Sequence, residues 1–278
     1  MSVLAGTIAL VTYSNPKCYA GGRGGCSTKM SGEHYLSESV LLITTSGSIS
    51  PDPAYGMAET VGVKSFKAKV LCTNHNSGLT HSDTAAAQVF GALKRFVALE
   101  RLEEVEGWVD DVEHVSGNDF QTWLAKTVMT HSAAGIWRDG GEKVQLAIGV
   151  QHADLLLGRV PWPDGCGLYL VPGESDPYSD AALNEGQTAL QPISINSGQV
   201  LGGGFIQCYG LAFALTFFPP DVGEPGSPFE SALYQPSAVD IHFGSATKTI
   251  QFHWDRTDLV RHRIGVHIRL VAAQEPTP

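Results

Sequence analysis

The sequence predicts an α+β protein in which a small N-terminal module, a helical connector and a mainly antiparallel β domain follow one another. Residues 1–83 are rich in Gly, Ser and Thr and carry only short apolar patches, which suits a module held by a metal. After Asp83 apolar residues recur at helical spacing. From Gly135 onward short apolar runs are separated by Gly, Pro, Asp and Ser turns. We therefore place the domain boundaries at 1–83, 84–134 and 135–278.

Size and composition indicate a globular protein with a large core. The chain has 278 residues, of which 43% are hydrophobic and 17% charged. No apolar run approaches the roughly 20 residues of a spanning helix, and the first ten residues lack a positively charged n-region. We expect a cytoplasmic protein that has no membrane-spanning segment. Its five cysteines are an odd number, which argues against a disulfide framework, and we expect Cys166 and Cys208 to be buried as small apolar residues.

Two pairs of zinc-ligand residue types dominate the N-terminal module. Cys72 and His75 have the Cys-x2-His spacing that supplies two ligands from one turn. Seven residues separate Cys18 from Cys26, and the four glycines among them allow the chain to fold back. The four residues predict a closed, structural Zn²⁺ site, with chance proximity in sequence as the alternative.

Charge is unevenly distributed along the chain. The net charge of −10 argues against a protein that coats nucleic acid along its whole surface. Residues 1–83, however, hold six basic and five acidic side chains, so the acidic excess lies in the remainder. A strand is predicted at 61–71, just before Cys72, and it contains Lys64, Lys67 and Lys69. These lysines form either a local positive surface or a solvated strand face.

The remaining elements follow from periodicity. The predicted first helix begins at Ser82 or Asp83 and ends near Glu104, and the second begins at Asn118 or Asp119. A loop is predicted at 47–56, where two prolines occur. Strands are predicted at residues 143–150, 168–171, 205–217, 239–243, 249–254 and 263–270.

The spacing of the N-terminal residues resembles that of the HNH endonucleases. The resemblance rests on Cys18-x7-Cys26, on Ser-Gly-Glu-His-Tyr-Leu-Ser at 31–37 and on Leu-Cys-Thr-Asn-His-Asn-Ser-Gly-Leu at 71–79, and it covers roughly residues 15–83. It implies a treble-clef, ββα-metal fold that hydrolyses nucleic-acid phosphodiester bonds, with DNA as the expected partner. By the same resemblance His34 is the general base, and Glu33 and Asn76 bind a catalytic Mg²⁺ or Mn²⁺.

The residue types suit that chemistry, with two departures. A neutral imidazole is a suitable base for activating water, and carboxylate and amide oxygens are hard ligands for Mg²⁺. Adjacent strand residues point to opposite faces, so Glu33 and His34 can share a site only if the backbone is irregular. The preceding Gly32 allows such an irregularity. The fourth zinc position is His75 where many members of the family have Cys. No Asn lies between His34 and Cys72, so the middle letter of the family signature is absent.

Alternatives stay open at each residue. The alternative to a catalytic His34 is a histidine with a structural role, and the alternative to a metal-binding Asn76 is a turn or cap residue. The alternative function is a non-catalytic zinc-binding interaction protein that retains the treble-clef scaffold. The β domain would then select a partner or a homo-oligomeric state, and no motif marks it as an enzyme.

Three further groups of residues are expected to be structural. His81 and Asp83 fit a helix start better than a second metal site. Three histidines in strand-like sequence fit a solvated sheet face: His253, His262 and His267. The glycines at 202–204 fit a turn or a bulge, because no Lys-Ser/Thr follows them.

Overall fold

The computed structural model describes residues 13–45, 48–49, 60–100, 110–139, 142–171, 188–209, 211–225, 227–243 and 246–267. The protein is a mixed α+β fold with few helices and with antiparallel sheets in its C-terminal part, as the sequence predicts. Among the described helices, none has the length and apolar character needed to cross a membrane.

The N-terminal module is built from short elements. Its strands are β1 (Glu33–His34), β2 (Ser48–Ile49), β3 (Val61–Gly62) and β4 (Lys67–Ala68), its helices are α1 (Glu38–Thr44) and α2 (Thr73–Ser77), and 3-10 turns lie at Gly21–Arg23 and Val63–Ser65. β1 pairs with β4 and β2 with β3, both antiparallel. The continuous strand predicted at 61–71 is wrong, because the turn at Val63–Ser65 interrupts it. Of the loop predicted at 47–56, Ser48–Ile49 is a strand, and the other positions lie outside the described residues.

Two long helices form the centre of the molecule and confirm the predicted helix pair. α3 covers Thr80–Glu100, and α4 covers Gly117–Ala134. The Ser116 side chain accepts a hydrogen bond from the Asp119 amide and caps α4, and Gly135 ends the helix in the left-handed conformation. The two helices pack against each other along their apolar faces.

A four-stranded sheet packs against these helices. Its order is β15 (Arg263–His267), β13 (Ala238–Phe243), β14 (Ala246–His253) and β5 (Asp111–Ser116). β13 and β14 form an antiparallel hairpin, whereas β15 and β5 add in parallel at the two edges. The sequence pattern did not predict β5, whose buried residues are too few to give a strand signal.

The second sheet has five antiparallel strands in the order β12 (Leu233–Tyr234), β8 (Gly167–Val171), β11 (Leu211–Thr216), β10 (Val200–Cys208) and β9 (Thr188–Ile195). The segment predicted as strand at 205–217 is therefore a hairpin, β10–β11. A register shift between Leu201 and Gly203 confirms the predicted bulge in the glycine run.

The segment after α4 differs from the prediction. β6 (Arg138–Asp139) and β7 (Glu142–Lys143) form a short hairpin, and α5 covers Val150–Leu156, so a strand at 143–150 is wrong. The helix begins there because His152 Nδ1 accepts a hydrogen bond from the Gly149 amide at 2.8 Å. Its Nε2 then donates to the Leu201 carbonyl at 3.0 Å, which fixes α5 against β10.

One apolar core connects these layers. The Phe120 ring on α4 stacks on Trp123 and contacts Phe213 of the five-stranded sheet and Phe252 of the four-stranded sheet. The same buried cluster extends into the N-terminal module through Cys18. The three segments proposed from the sequence thus share a core, and their exact boundaries stay a prediction.

Candidate metal centre

The four predicted zinc ligands converge. The Nδ1 atom of His75 lies 3.4 Å from the Sγ atoms of Cys18 and Cys72 and 3.8 Å from that of Cys26. All four ligand atoms lie within 4.8 Å of one another. In a zinc tetrahedron with ordinary bond lengths, sulfur and nitrogen ligands are about 3.6 Å apart. The arrangement is therefore a Cys3His cluster that can hold a metal ion of zinc's size, with no ligand position left for water.

The glycine-rich loop brings Cys26 back to Cys18. Gly24 and Gly25 have φ angles of 78° and 77°, a left-handed backbone that glycine adopts without strain and that reverses the chain before Cys26. The Cys72 amide donates to Cys18 Sγ at 3.3 Å, which joins the two halves of the ligand set.

Contacts with α2 fix the loop from the other side. The Ser27 hydroxyl lies 2.7 Å from that of Thr73, and the Asn74 side chain donates to the Gly25 carbonyl at 2.7 Å. The cysteine loop and the helix carrying Cys72 and His75 are thus held together by direct hydrogen bonds as well as by the ligand cluster.

The two buried thiols differ in acidity. Burial raises the pKa of the Cys18 thiol to about 12. For Cys72 burial acts in the same direction, but hydrogen bonds from His75 and Ser27 outweigh it and lower the pKa to about 7. A metal ion that binds all three sulfurs must displace the proton of Cys18, so metal binding releases protons.

Glu33 and Asn76, the predicted ligands of a catalytic cation, lie together beneath α4. Their side chains are hydrogen-bonded to each other, and Asn76 Nδ2 also donates to Ser31 Oγ at 3.0 Å. Burial raises the pKa of the Glu33 carboxyl, although the ammonium of Lys126 opposes this effect. The structure therefore brings these two predicted residues into one place.

Lys126 on α4 contacts the Glu33 carboxylate, one of the two predicted ligands of the divalent ion. Its Nζ lies 2.8 Å from Glu33 Oε1 and 3.0 Å from Asp83 Oδ2, and its side chain is only 3% exposed. We call Glu33, Asp83 and Lys126 the acid–lysine cluster. Because an ammonium already neutralises the buried carboxylate, the described arrangement does not fit a Mg²⁺ or Mn²⁺ ion bound by Glu33 and Asn76.

His34 lies on the other face of the β1–β4 pair. Glu33 is opposite Ala68 and His34 is opposite Lys67, so the regular alternation of strand side chains separates Glu33 from His34. The His34 imidazole hydrogen-bonds to the Val63 backbone, and its Nε2 is sealed from solvent without a hydrogen-bond partner among the described residues. Burial lowers the pKa of His34, whereas Glu38 acts in the opposite direction. The predicted irregularity at Gly32 does not bring His34 to Glu33.

Two residues of this region were not predicted. Lys126 contacts Glu33 from α4, and Arg159 lies 3.5 Å from His75 Nε2 at the end of the α5 segment. A lysine in a helix turn that is otherwise apolar is a signal for a buried partner of opposite charge, and Lys126 follows Trp123, Leu124 and Ala125. Nothing in the local sequence of Arg159 indicates its contact.

The other polar groups singled out from the sequence lie in helices or on the surface of the described residues. His81 and Asp83 lie in the first turns of α3, and Asn76 lies inside α2. His253 is exposed and 2.9 Å from His114, His262 is exposed, and the His267 side chain lies outside the described residues. The two remaining cysteines, Cys166 and Cys208, are buried as predicted.

Comparison with protein-family models, with curated proteins and with solved structures found no match to this chain.

Proposed function

We propose that the N-terminal module is a zinc-stapled, treble-clef-like element that serves recognition and does not hydrolyse its partner. The observation that carries this proposal is the acid–lysine cluster, in which Lys126 lies 2.8 Å from the Glu33 carboxylate. The general base expected from the resemblance, His34, lies on the opposite strand face with its Nε2 sealed from solvent. Three cysteines and a histidine are a complete ligand set for structural zinc.

The charge of the module indicates an acidic partner, for which we propose nucleic acid. Lys126 offsets one of the two negative charges of Glu33 and Asp83, and the Glu33 side chain is buried. Five lysines are exposed on the described part of the module: Lys17, Lys29, Lys64, Lys67 and Lys69. A surface of this sign attracts phosphate groups even though the whole chain is acidic.

Metal analysis of the purified protein, combined with a ligand variant, tests the zinc staple. We expect the wild-type protein to bind one zinc per chain. The Cys72→Ser variant should lose this zinc, and its N-terminal module should unfold, which hydrogen exchange of residues 13–83 detects. Cys166→Ser is the matched control, because Cys166 is also buried but lies outside the cluster. A protein that folds fully and binds no zinc contradicts the proposal.

The second candidate is an HNH-type endonuclease, favoured by the hydrogen bond that places Asn76 against Glu33. This function requires Lys126 to leave the carboxylate and His34 to gain access to water. Incubation of plasmid and single-stranded DNA with Mg²⁺ or Mn²⁺ distinguishes the two candidates. Divalent-dependent cleavage that His34→Ala abolishes supports the nuclease. No cleavage, or equal cleavage by both proteins, supports the recognition module.

A further inference from the structure

The proposed zinc centre carries a charge that its own four ligands do not balance. Three thiolates and one neutral imidazole around a divalent zinc leave one net negative charge. Cys18 and Cys72 are buried, and charge in such surroundings is costly unless an opposite charge lies nearby. The described structure contains a candidate for that opposite charge in a segment remote from the module in sequence.

Arg159 contacts the outer side of the ligand His75. The Nδ1 atom of His75 faces the three sulfurs, and its other nitrogen, Nε2, lies 3.5 Å from Arg159 Nη2. When Nδ1 binds a metal, Nε2 carries a proton, and a guanidinium has no acceptor. The contact is therefore electrostatic, between a cation and the rim of an anionic centre, and is not a hydrogen bond.

Asp154 lies between the guanidinium groups of Arg23 and Arg159. This aspartate is buried in α5; its Oδ2 lies 2.7 Å from Arg23 Nε, and its Oδ1 lies 3.7 Å from Arg159 Nη1. The Arg159 amide also donates to the Asp154 carbonyl at 2.9 Å, so the backbone fixes the residue at the end of the helix. Two arginines and one aspartate leave one net positive charge, which matches the charge of the centre.

Gly25 lies beside the contact between His75 and Arg159. A Cβ atom built at Gly25 would lie 3.6 Å from His75 Nε2 and 3.7 Å from Arg159 Nη2, so the cysteine loop passes close to both groups. Cys26, the next residue, is the least buried of the three cysteines. Arg159 thus lies beside the edge of the cluster that is nearest to solvent.

From these contacts we infer that Arg159, held beside Asp154 by its backbone hydrogen bond, is a positioning residue of the zinc centre that balances its negative charge and slows metal loss. The inference rests on the proposed zinc site. It makes the α5 segment part of the metal centre, although the segment lies outside the N-terminal module.

The test is the rate at which a chromogenic chelator removes zinc from the full-length protein. We expect Arg159→Gln to release zinc about ten-fold faster than wild type. This is the lower end of the effect known for residues that contact metal ligands, because the Arg159 side chain is 31% exposed. Arg159→Lys should retain most of the protection, and the difference between wild type and Arg159→Gln should shrink at 1 M salt. Arg95→Gln is the matched control, since Arg95 is an exposed arginine paired with Glu113.

Each outcome is decisive once thermal unfolding has shown that the variants fold. A wild-type protein without zinc refutes the proposed staple itself. With zinc present, equal release rates for wild type and Arg159→Gln overturn the role of Arg159. Equal acceleration in Arg95→Gln, or a lysine variant as labile as the glutamine variant, shows that local charge is not the cause and overturns it as well.

Discussion

At the scale of single residues, Lys126 is a buried charge whose stability depends on its partners. Its ammonium is surrounded by two carboxylates in a position that is almost closed to water. Burying such ions is expensive, and the cost is offset only while all partners are present. The cluster is therefore more sensitive to removal of one member than to replacement of the whole group.

Replacing Lys126 by Met should lower the free energy of unfolding by about 3 kcal/mol, because the buried Glu33 carboxylate loses its counter-charge. The double variant Lys126→Met/Glu33→Gln should recover part of this loss. Urea unfolding measures both, with Lys17→Met as an exposed control expected to change stability by less than about 0.5 kcal/mol. A single variant as stable as wild type would show that the cluster is open to solvent.

His131 should make the protein sensitive to acid. Burial lowers the pKa of this imidazole to about 4, and its Nδ1 donates to the Thr127 carbonyl at 2.9 Å. The unfolded chain, with a pKa near 6.5, binds the proton more readily, so the stability is fully present above pH 6.5 and is lost as pH falls toward 4. The loss attributable to His131 is about 3 kcal/mol.

The measurement is the unfolding free energy between pH 7 and pH 4 in wild type, His131→Phe and His253→Ala. The phenylalanine variant should show a smaller decrease, because it has no buried imidazole to protonate. His253 is exposed, so its variant should retain the wild-type decrease. Parallel pH profiles for wild type and His131→Phe would contradict the buried, neutral state of His131.

Sequence spacing identified residues of the site only where the partners are close in the chain or belong to a known ligand set. The Cys3His cluster was predictable because ligand type and spacing are specific to zinc. The separation of Glu33 from His34 was foreseeable from strand alternation alone. The apolar neighbours of Lys126 indicate a buried partner but do not identify it, and nothing local indicates the contact of Arg159, because only tertiary packing brings these residues to Glu33 and His75.

At the scale of elements, α1 is fixed to α4 by one buried hydrogen bond. The indole nitrogen of Trp123 donates to Ser37 Oγ at 2.7 Å, and both groups are buried. Ser37 is the residue before α1, and its side chain makes no capping bond to that helix. The hydroxyl therefore serves the contact between helices and not the helix end.

Ser37→Ala should lower the free energy of unfolding by about 2 kcal/mol, since it leaves the buried indole N–H without an acceptor. Ser77→Ala is the control: Ser77 is exposed and its hydroxyl bonds only locally, to the Thr73 carbonyl. Thermal or urea unfolding reports both. Equal stability of the two variants would mean that Trp123 finds another acceptor.

The two long helices were predictable, and so were short strands such as β8 and β13, whereas the short helix α5 was not. α3 and α4 have several turns of apolar periodicity and a recognisable start, so their existence followed from the sequence. α5 has two turns, and the preceding alternation of Val144, Leu146 and Ile148 has the period of a strand. Its helical start depends on the His152 side chain, whose bonds to Gly149 and Leu201 are tertiary information.

At the scale of the whole molecule, the continuous core predicts cooperative unfolding. Cys18 and Trp254 belong to the same buried cluster, which includes both long helices and parts of both larger sheets. An N-terminal module that shares this core has little apolar surface of its own to keep it folded alone.

In urea, zinc release and the change in tryptophan fluorescence should therefore have the same midpoint. Trp123 and Trp137 are buried and report on the core, while a chromogenic chelator reports on the metal. Metal loss at clearly lower urea, before the fluorescence changes, would show that the module unfolds independently. Cys166→Ser provides a control in which the core is altered and the ligand set is intact.

The pairing of β1 with β4 closes a long excursion of the chain, because Glu33–His34 and Lys67–Ala68 are adjacent in space. The entropy of closing such a loop grows only with the logarithm of its length, about 0.6 kcal/mol for each doubling. The Cys3His cluster spans the same gap between Cys26 and Cys72, so a metal ion bound there would join the two sides of this excursion. Loop length therefore contributes little to the cost of bringing the two strands together, whereas the contacts of α1, such as the Ser37–Trp123 hydrogen bond, fix the described part of the segment between them.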